Sequence, residues 1–307
     1  MSTLAKPNLS VQVSGIKMKN PVTVASGTFG LQSDNYFDLS VLGAVVPKGI
    51  TLNPKEGNKP PRTIETPSGM LNAIGLQNPG IDHFIKEVLP RYEKFDIPII
   101  INISAESAEE YALLAEKLTA TGKITGIEIN VSCPNLKRGG FQFGSDPKET
   151  EKVVKAVRKA TDLTIITKLT PNVTDIMEIA KAAEGAGSDA ISLINTLLGT
   201  SIDVKTRKFH LANVTGGLSG PAVKPVAVRM VWQCFNAVKI PIIGMGGISN
   251  ANDALEFILA GATAVAVGTY NFVNPRSPFE IIEGIKNYLI ENNIADINDL
   301  RGAVETV

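Results

Sequence analysis

"TIITKLTPNVTDIMEIAKAAEGAGSDAISLINT", residues 164–196, is the stretch that decides the fold. It begins with an apolar, β-branched run, "TIITKLT" (164–170). A helical pattern follows, "VTDIMEIAKAAEGAG" (173–187), ending at glycines as helix C-termini often do. A second apolar run, "AISLINT" (190–196), closes the unit. Neither run alternates apolar with polar residues. That pattern belongs to strands covered on both faces, hence to a parallel sheet joined by crossover helices.

The same unit recurs outward in both directions. Strand candidates are "VTVAS" (22–26), "AVVPK" (44–48), "PIIINIS" (98–104), "GIEINVS" (126–132), "PIIGMGG" (241–247) and "AVAVGT" (264–269). The helix candidates between them carry start signals. "SAEEYALLAEKLTAT" (107–121) opens on a Ser cap with a Glu three residues on, and "DPKETEKVVKAVRKAT" (146–161) opens on Asp-Pro. "NANDALEFILAGA" (250–262) ends at a glycine, and "PFEIIEGIKNYLIENN" (278–293) supplies the last helix. Eight strands, each followed by helical sequence, in about 250 residues predict a (β/α)8 TIM barrel. A doubly wound open sheet is the alternative. "SVQVSGIKMKN" (10–20) predicts an N-terminal hairpin under the barrel floor. Two connections, 49–97 and 197–240, are long enough to carry binding loops over the C-terminal face. No linker rich in Ser, Pro or Gly interrupts the chain, so residues 1–307 are expected to form one domain.

Composition narrows the function classes. Lys plus Arg and Asp plus Glu are both 30, so formal net charge is zero and no nucleic-acid or anionic-membrane footprint is expected. Hydrophobic residues make up 44 %, enough for a large core, yet no run has the length of a membrane span. "MSTLAKPNLSVQV" lacks the apolar segment of a signal peptide. The two cysteines, Cys133 and Cys234, form no CxxC pair, so neither a disulfide framework nor an iron–sulfur cluster on this chain is expected, and no metal site. A reducing cytoplasm fits these features.

In a barrel, chemistry gathers at the C-terminal strand ends. Those ends here carry Ser26, Lys48, Asn102, Asn130, Lys168, Asn195, the pair Gly246–Gly247, and Gly268–Thr269. A lysine inside an apolar strand needs a partner or a ligand, because a buried ammonium is costly. One such lysine reads as a structural ion pair; two at one barrel mouth point to a shared anionic or electron-rich ligand. "GMGGI" and the later Gly-Thr occupy the usual phosphate site of barrels. A phosphate site with two inward lysines could hold a flavin mononucleotide, a lysine stabilising the negative charge that develops on reduction. Asn72, Asn130, Asn135 and Asn195 could meet a ring with alternating C=O and N–H groups, although each alone reads as a turn or cap residue. Cys133 ends the fourth strand beside Pro134 and the glycine-bearing "NLKRGGFQFGSDP" (135–147), so it reads as an acid–base on a closing loop rather than a buried apolar residue. His83, in a helical stretch, and His210, in a basic loop, are weaker candidates.

Together these stretches resemble the dihydroorotate dehydrogenase family, in its class 1B, NAD-linked branch. The matching segments are "VASGTFG" (24–30), "GMLNAIGLQNPG" (69–80), "NVSCPN" (130–135), "GGFQFGSDP" (139–147), "KLTPNVTDI" (168–176), "SLINTLLGT" (192–200), "LANVTGGLSGPAVKPVAVRMV" (211–231), "PIIGMGGI" (241–248) and "GATAVAVGTYNFV" (261–273). Class 1A relatives share "SCPN" but usually continue differently, and the quinone-linked class has Ser in place of Cys133.

The resemblance implies an FMN-dependent oxidation of dihydroorotate to orotate in pyrimidine biosynthesis, with Cys133 as base. It implies FMN contacts at Ser26, Lys48, Gly49, Asn102, Asn130, Lys168, Ile194, Gly220, Gly246, Gly247, Gly268 and Thr269. It implies substrate contacts at Lys48, Asn72, Ala73, Ile74, Gly75, Leu76, Asn130, Asn135, Asn195 and Thr196. Relatives often carry Thr, Ser or Ala where this chain has Gly49, so a side-chain contact to FMN is lost there. A homodimer of this chain joined to a subunit carrying FAD and [2Fe–2S], as a heterotetramer, is implied as the route to NAD. A fumarate-reducing homodimer, a non-catalytic FMN- or phosphate-binding barrel and a flavin-free lyase or aldolase are the alternatives.

Overall fold

The computed structural model describes residues 6–132, 134–135 and 141–305, without the side chains of 134, 135, 141 and 142. Its centre is a seven-stranded parallel sheet in the order Val22–Val24, Ala264–Val267, Ile242–Met245, Ala190–Leu193, Thr164–Lys168, Gly126–Asn130, Ile100–Ile103. Segment 43–50 joins the two edges. On one side Gly43 N–H donates to Val22 O at 2.9 Å. On the other, Val45 pairs with Ile99 and Ile50 with Ile103, both in parallel sense. The ring is therefore the barrel that the strand spacing predicts.

The second strand differs from expectation. "AVVPK" is not a continuous strand but a segment caught at two points, Val45 and Ile50, on its C-terminal neighbour. Pro47 lies between them and has no N–H to give to a ladder. The first strand departs as well. It is followed by two 3-10 turns, Leu31–Asn35 and Leu39–Val41, rather than by an α-helix. The other crossovers contain the expected helices, and four carry the side-chain caps that the sequence supplies. Ser107 accepts from Glu110 N–H ahead of Ala108–Thr119. Asp146 caps Pro147–Ala160, Asp175 caps Ile176–Gly185 and Asn250 caps Ala251–Leu259. Each cap occupies an otherwise orphaned N–H and is worth about 1 kcal/mol.

Both barrel ends are covered. At the N-terminal end the hairpin Val11–Val13 / Ile16–Met18 buries Val11, Val13, Ile16 and Met18. Ile16 reaches Gly126 so closely that a Cβ there would sit 2.7 Å from Ile16 Cδ1. At the C-terminal end the two long connections do more than carry loops. They combine into one antiparallel sheet, ordered Leu197–Thr200, Thr215–Ser219, Gly69–Asn72, Thr63–Thr66. Its central pairing sets Gly217 opposite Asn72 and Leu218 opposite Leu71. Short ribbons Ile202–Asp203 / Lys208–Phe209 and Pro134–Asn135 / Phe141–Gln142 extend the same end.

Candidate active site at the barrel mouth

Between the strand ends and this upper sheet lies a cavity of about 800 Å³. Such a volume admits a ligand of drug or mononucleotide size. Its walls come from parts of the chain more than 200 residues apart: Ser26 and Gly27, Lys48 and Gly49, the run Asn72–Gln77, Asn130, Lys168, Ile194–Thr196, Gly246–Ile248 and Gly268–Tyr270.

The charge on these walls is lopsided. Lys48, Lys168 and Arg62 all line the cavity. Among the described residues only Lys168 has an ion pair, with Glu128 Oε2 at 3.7 Å. The Lys48 ammonium lies beside the Gly27 backbone, where a Cβ would be 3.1 Å from Nζ. Its pKa is lowered, first by burial and then by repulsion from Lys168 and Arg62. Arg62 donates to Gln77 Oε1 at 2.6 Å and has no carboxylate partner among the described residues. An anionic ligand would relieve this excess charge.

Beneath the lysines a buried carboxylate organises the floor. Glu128 is 3 % exposed. Its Oε2 accepts from Asn102 Nδ2 at 2.6 Å, and its Oε1 accepts from Ser192 Oγ at 2.7 Å. The opposite face of the Asn102 amide is pressed on Gly49. A Cβ at residue 49 would lie 2.3 Å from Asn102 Oδ1. Glycine is therefore what lets Asn102 lie where it does.

The asparagines are partly spent on one another. Asn195 Nδ2 donates to Asn130 Oδ1 at 3.1 Å and to Ser132 Oγ at 2.9 Å, while Asn130 Nδ2 donates to Ser104 Oγ. Asn72 Nδ2 donates to Gly217 O at 3.4 Å across the upper sheet, and Asn72 lines the cavity. The run after Asn72 is held by Asn58, which donates from Nδ2 to Ala73 O at 2.9 Å and from its backbone to Ile74 O. On the far wall, Gly220 and Gly247 have φ of +102° and +80°. A Cβ on Gly247 would meet Gly220 O at 2.9 Å and Lys224 Cβ at 2.8 Å. This close backbone contact, open to the cavity, is the kind of cradle a phosphate uses.

All twelve residues expected to contact a cofactor line this one cavity. So do Asn72, Ala73, Ile74, Gly75, Leu76, Asn195 and Thr196 from the substrate set. Cys133 lies outside the described residues, as does the side chain of Asn135. The other cysteine, Cys234, is fully buried on the helix Lys224–Phe235, and burial pushes its thiol up to about 12. His83 is exposed and His210 bonds Ser201 Oγ at 3.0 Å; neither lines the cavity. Sequence reasoning missed Arg62, Glu128 and Asn58. Glu128 carried a usable signal, a carboxylate inside the apolar "GIEIN". Arg62 carried none, because its place depends on the upper sheet.

An α/β barrel with a cationic, glycine-walled cavity at its C-terminal mouth has the layout of a barrel enzyme. The chain matches the dihydroorotate dehydrogenase family over residues 8–289. It is 57 % identical over 300 residues to a protein of Thermoanaerobacter pseudethanolicus named dihydroorotate dehydrogenase B (NAD(+)), catalytic subunit, covering 97 % of this chain and 99 % of that one. Proteins of the same name from Desulforamulus reducens and Geotalea uraniireducens are 58 % and 55 % identical, over 97 % and 99 % of this chain and 99 % and 100 % of theirs. The chain belongs to the dihydroorotate dehydrogenase family of oxidoreductases. No helix among the described residues is long and apolar enough to cross a membrane.

Proposed function

We propose that this chain is the FMN-binding catalytic subunit of an NAD-linked dihydroorotate dehydrogenase, oxidising dihydroorotate to orotate in de novo pyrimidine biosynthesis. The observation that carries the reading is the convergence of Lys48, Lys168 and Arg62 on one cavity that also contains the glycine cradle. The relatives' names supply the reaction.

The residues present fit FMN. Gly246, Gly247, Gly268 and Thr269 would hold its phosphate, with Gly220 closing the cradle. Ser26, Gly49, Asn102, Asn130 and Ile194 would line its ring, and Lys168 would stand at the pyrimidine end. FMN, when bound, takes up the hydride that leaves C6 of dihydroorotate. Lys48 would hold the substrate's negative charge, since its ammonium is half-buried and has no counter-ion among the described residues. Asn72 to Leu76, Asn130, Asn195 and Thr196 would orient the ring, and Asn135 would join them. Cys133 would take the proton from C5. Both reacting atoms lie on one ring, so holding that ring in place is the main work of the pocket.

Electrons would leave through a partner subunit carrying FAD and [2Fe–2S], and then pass to NAD. A heterotetramer built on a dimer of this chain, in the cytoplasm, would complete the assembly. Co-purification from the native cell followed by analysis for FMN, FAD and iron tests this. FMN on this chain, with FAD and iron on a second one, is the expected result. A lone chain that turns over with fumarate and gains nothing from a partner would overturn the NAD-linked reading.

A further inference from the structure

Glu128 sits where an apolar side chain would be far less costly. It is on the barrel strand Gly126–Asn130, between Ile127 and Ile129, both fully buried. An unpaired carboxylate there would be strongly disfavoured. Its contacts account for it. One oxygen accepts from Asn102 and faces Lys168 Nζ, and the other accepts from Ser192. Asn102 and Lys168 both line the cavity; Glu128 and Ser192 do not.

We propose that Glu128 is a positioning residue for the redox site, acting through Asn102 and Lys168. Two consequences follow from the geometry. The carboxylate is an acceptor only, so it fixes the Asn102 amide with Nδ2 inward and Oδ1 toward Gly49. Its charge also offsets that of Lys168, and so sets how much positive field the cavity floor presents to a bound electron acceptor. Without Glu128 the floor would favour the reduced, more negative form of that acceptor more strongly. This inference rests on the proposal that the cavity holds FMN.

Glu128→Gln isolates the charge. A glutamine can still accept from Asn102 through Oε1 and donate to Ser192 Oγ through Nε2. In the purified wild-type, E128Q and E128D proteins, flavin content, thermal midpoint and the flavin midpoint potential at slightly acid pH are measured. E128Q is expected to keep its flavin and thermal midpoint, with its potential shifted positive. E128D, which keeps the charge, is expected to return most of the way to the wild-type potential despite its shorter reach. A structural role alone would move the thermal midpoint and leave the potential in place. An E128Q potential equal to or below that of the wild type, or an E128D shift as large as that of E128Q, overturns the inference while the FMN reading stands. A wild-type chain that takes up no FMN overturns that reading, and the inference with it.

Discussion

The floor and the mouth of the barrel are both closed by antiparallel structure, to opposite ends. At the floor, a hairpin buries four apolar side chains beneath the barrel. At the mouth, a four-stranded sheet stands off the strand ends and leaves a cavity with three cations in its walls. The floor spends its residues on stability. The mouth holds charges that a search for stability alone would remove. The two lysines of the mouth repeat the contrast on a smaller scale. Lys168 is 6 % exposed and faces Glu128, whereas Lys48 is half-buried beside Gly27 and has no ion pair among the described residues.

Substitutions at the two ends should therefore part chemistry from stability. The largest expected effect is at the proposed base. Cys133→Ala should leave flavin bound and thermal unfolding unchanged, but slow flavin reduction by dihydroorotate by about 10²–10⁴-fold, the usual weight of a general base. Stopped-flow kinetics would check this, and near-normal reduction would remove Cys133 from the mechanism. Ile16→Ala, at the floor, should do the reverse. Deleting a fully buried side chain costs roughly 2–5 kcal/mol, read in urea unfolding, while the substrate KM of the folded fraction stays put. Lys48→Met should weaken orotate binding by about 10–100-fold, the worth of a charge-assisted hydrogen bond, and hold or raise the thermal midpoint. A fall in both together would mean that Lys48 is structural.

The smallest effect is in pH. The folded-state pKa of Lys48 lies below the ordinary 10.5, because burial and the neighbouring cations disfavour its charge. In the window between that lowered value and 10.5, the unfolded chain binds more protons than the folded one. Stability from this group therefore rises with pH across the window. The proposed contact with orotate uses the charged form, so orotate affinity should fall as pH rises through the lowered value. Lys48→Met should abolish that fall, as a calorimetric titration series would show.

Much of this was legible in the sequence, for a physical reason. Parallel strands buried on both faces leave continuous apolar runs, and a lysine in such a run, as at 48 and 168, stands out. Glu128 stood out equally in "GIEIN", and its weight lay in partners contributed by two other strands, Asn102 and Ser192. "AVVPK" (44–48) misled because Pro47 denies it a ladder while its sequence still looks like a strand. The upper sheet was illegible. It pairs residues 69–72 with 215–219, and no local pattern encodes a partner some 145 positions away, as for Asn72 and Gly217. The place of Arg62 at the cavity, and of Asn58 behind the run Ala73–Ile74, depends on that sheet and was hidden with it.

The most direct test is an anaerobic titration of the purified chain with dihydroorotate, followed by visible absorbance. The account predicts a yellow protein whose flavin band bleaches stoichiometrically without any partner subunit, because every residue assigned to the oxidation belongs to this chain. A yellow protein whose band dihydroorotate leaves unchanged would contradict it.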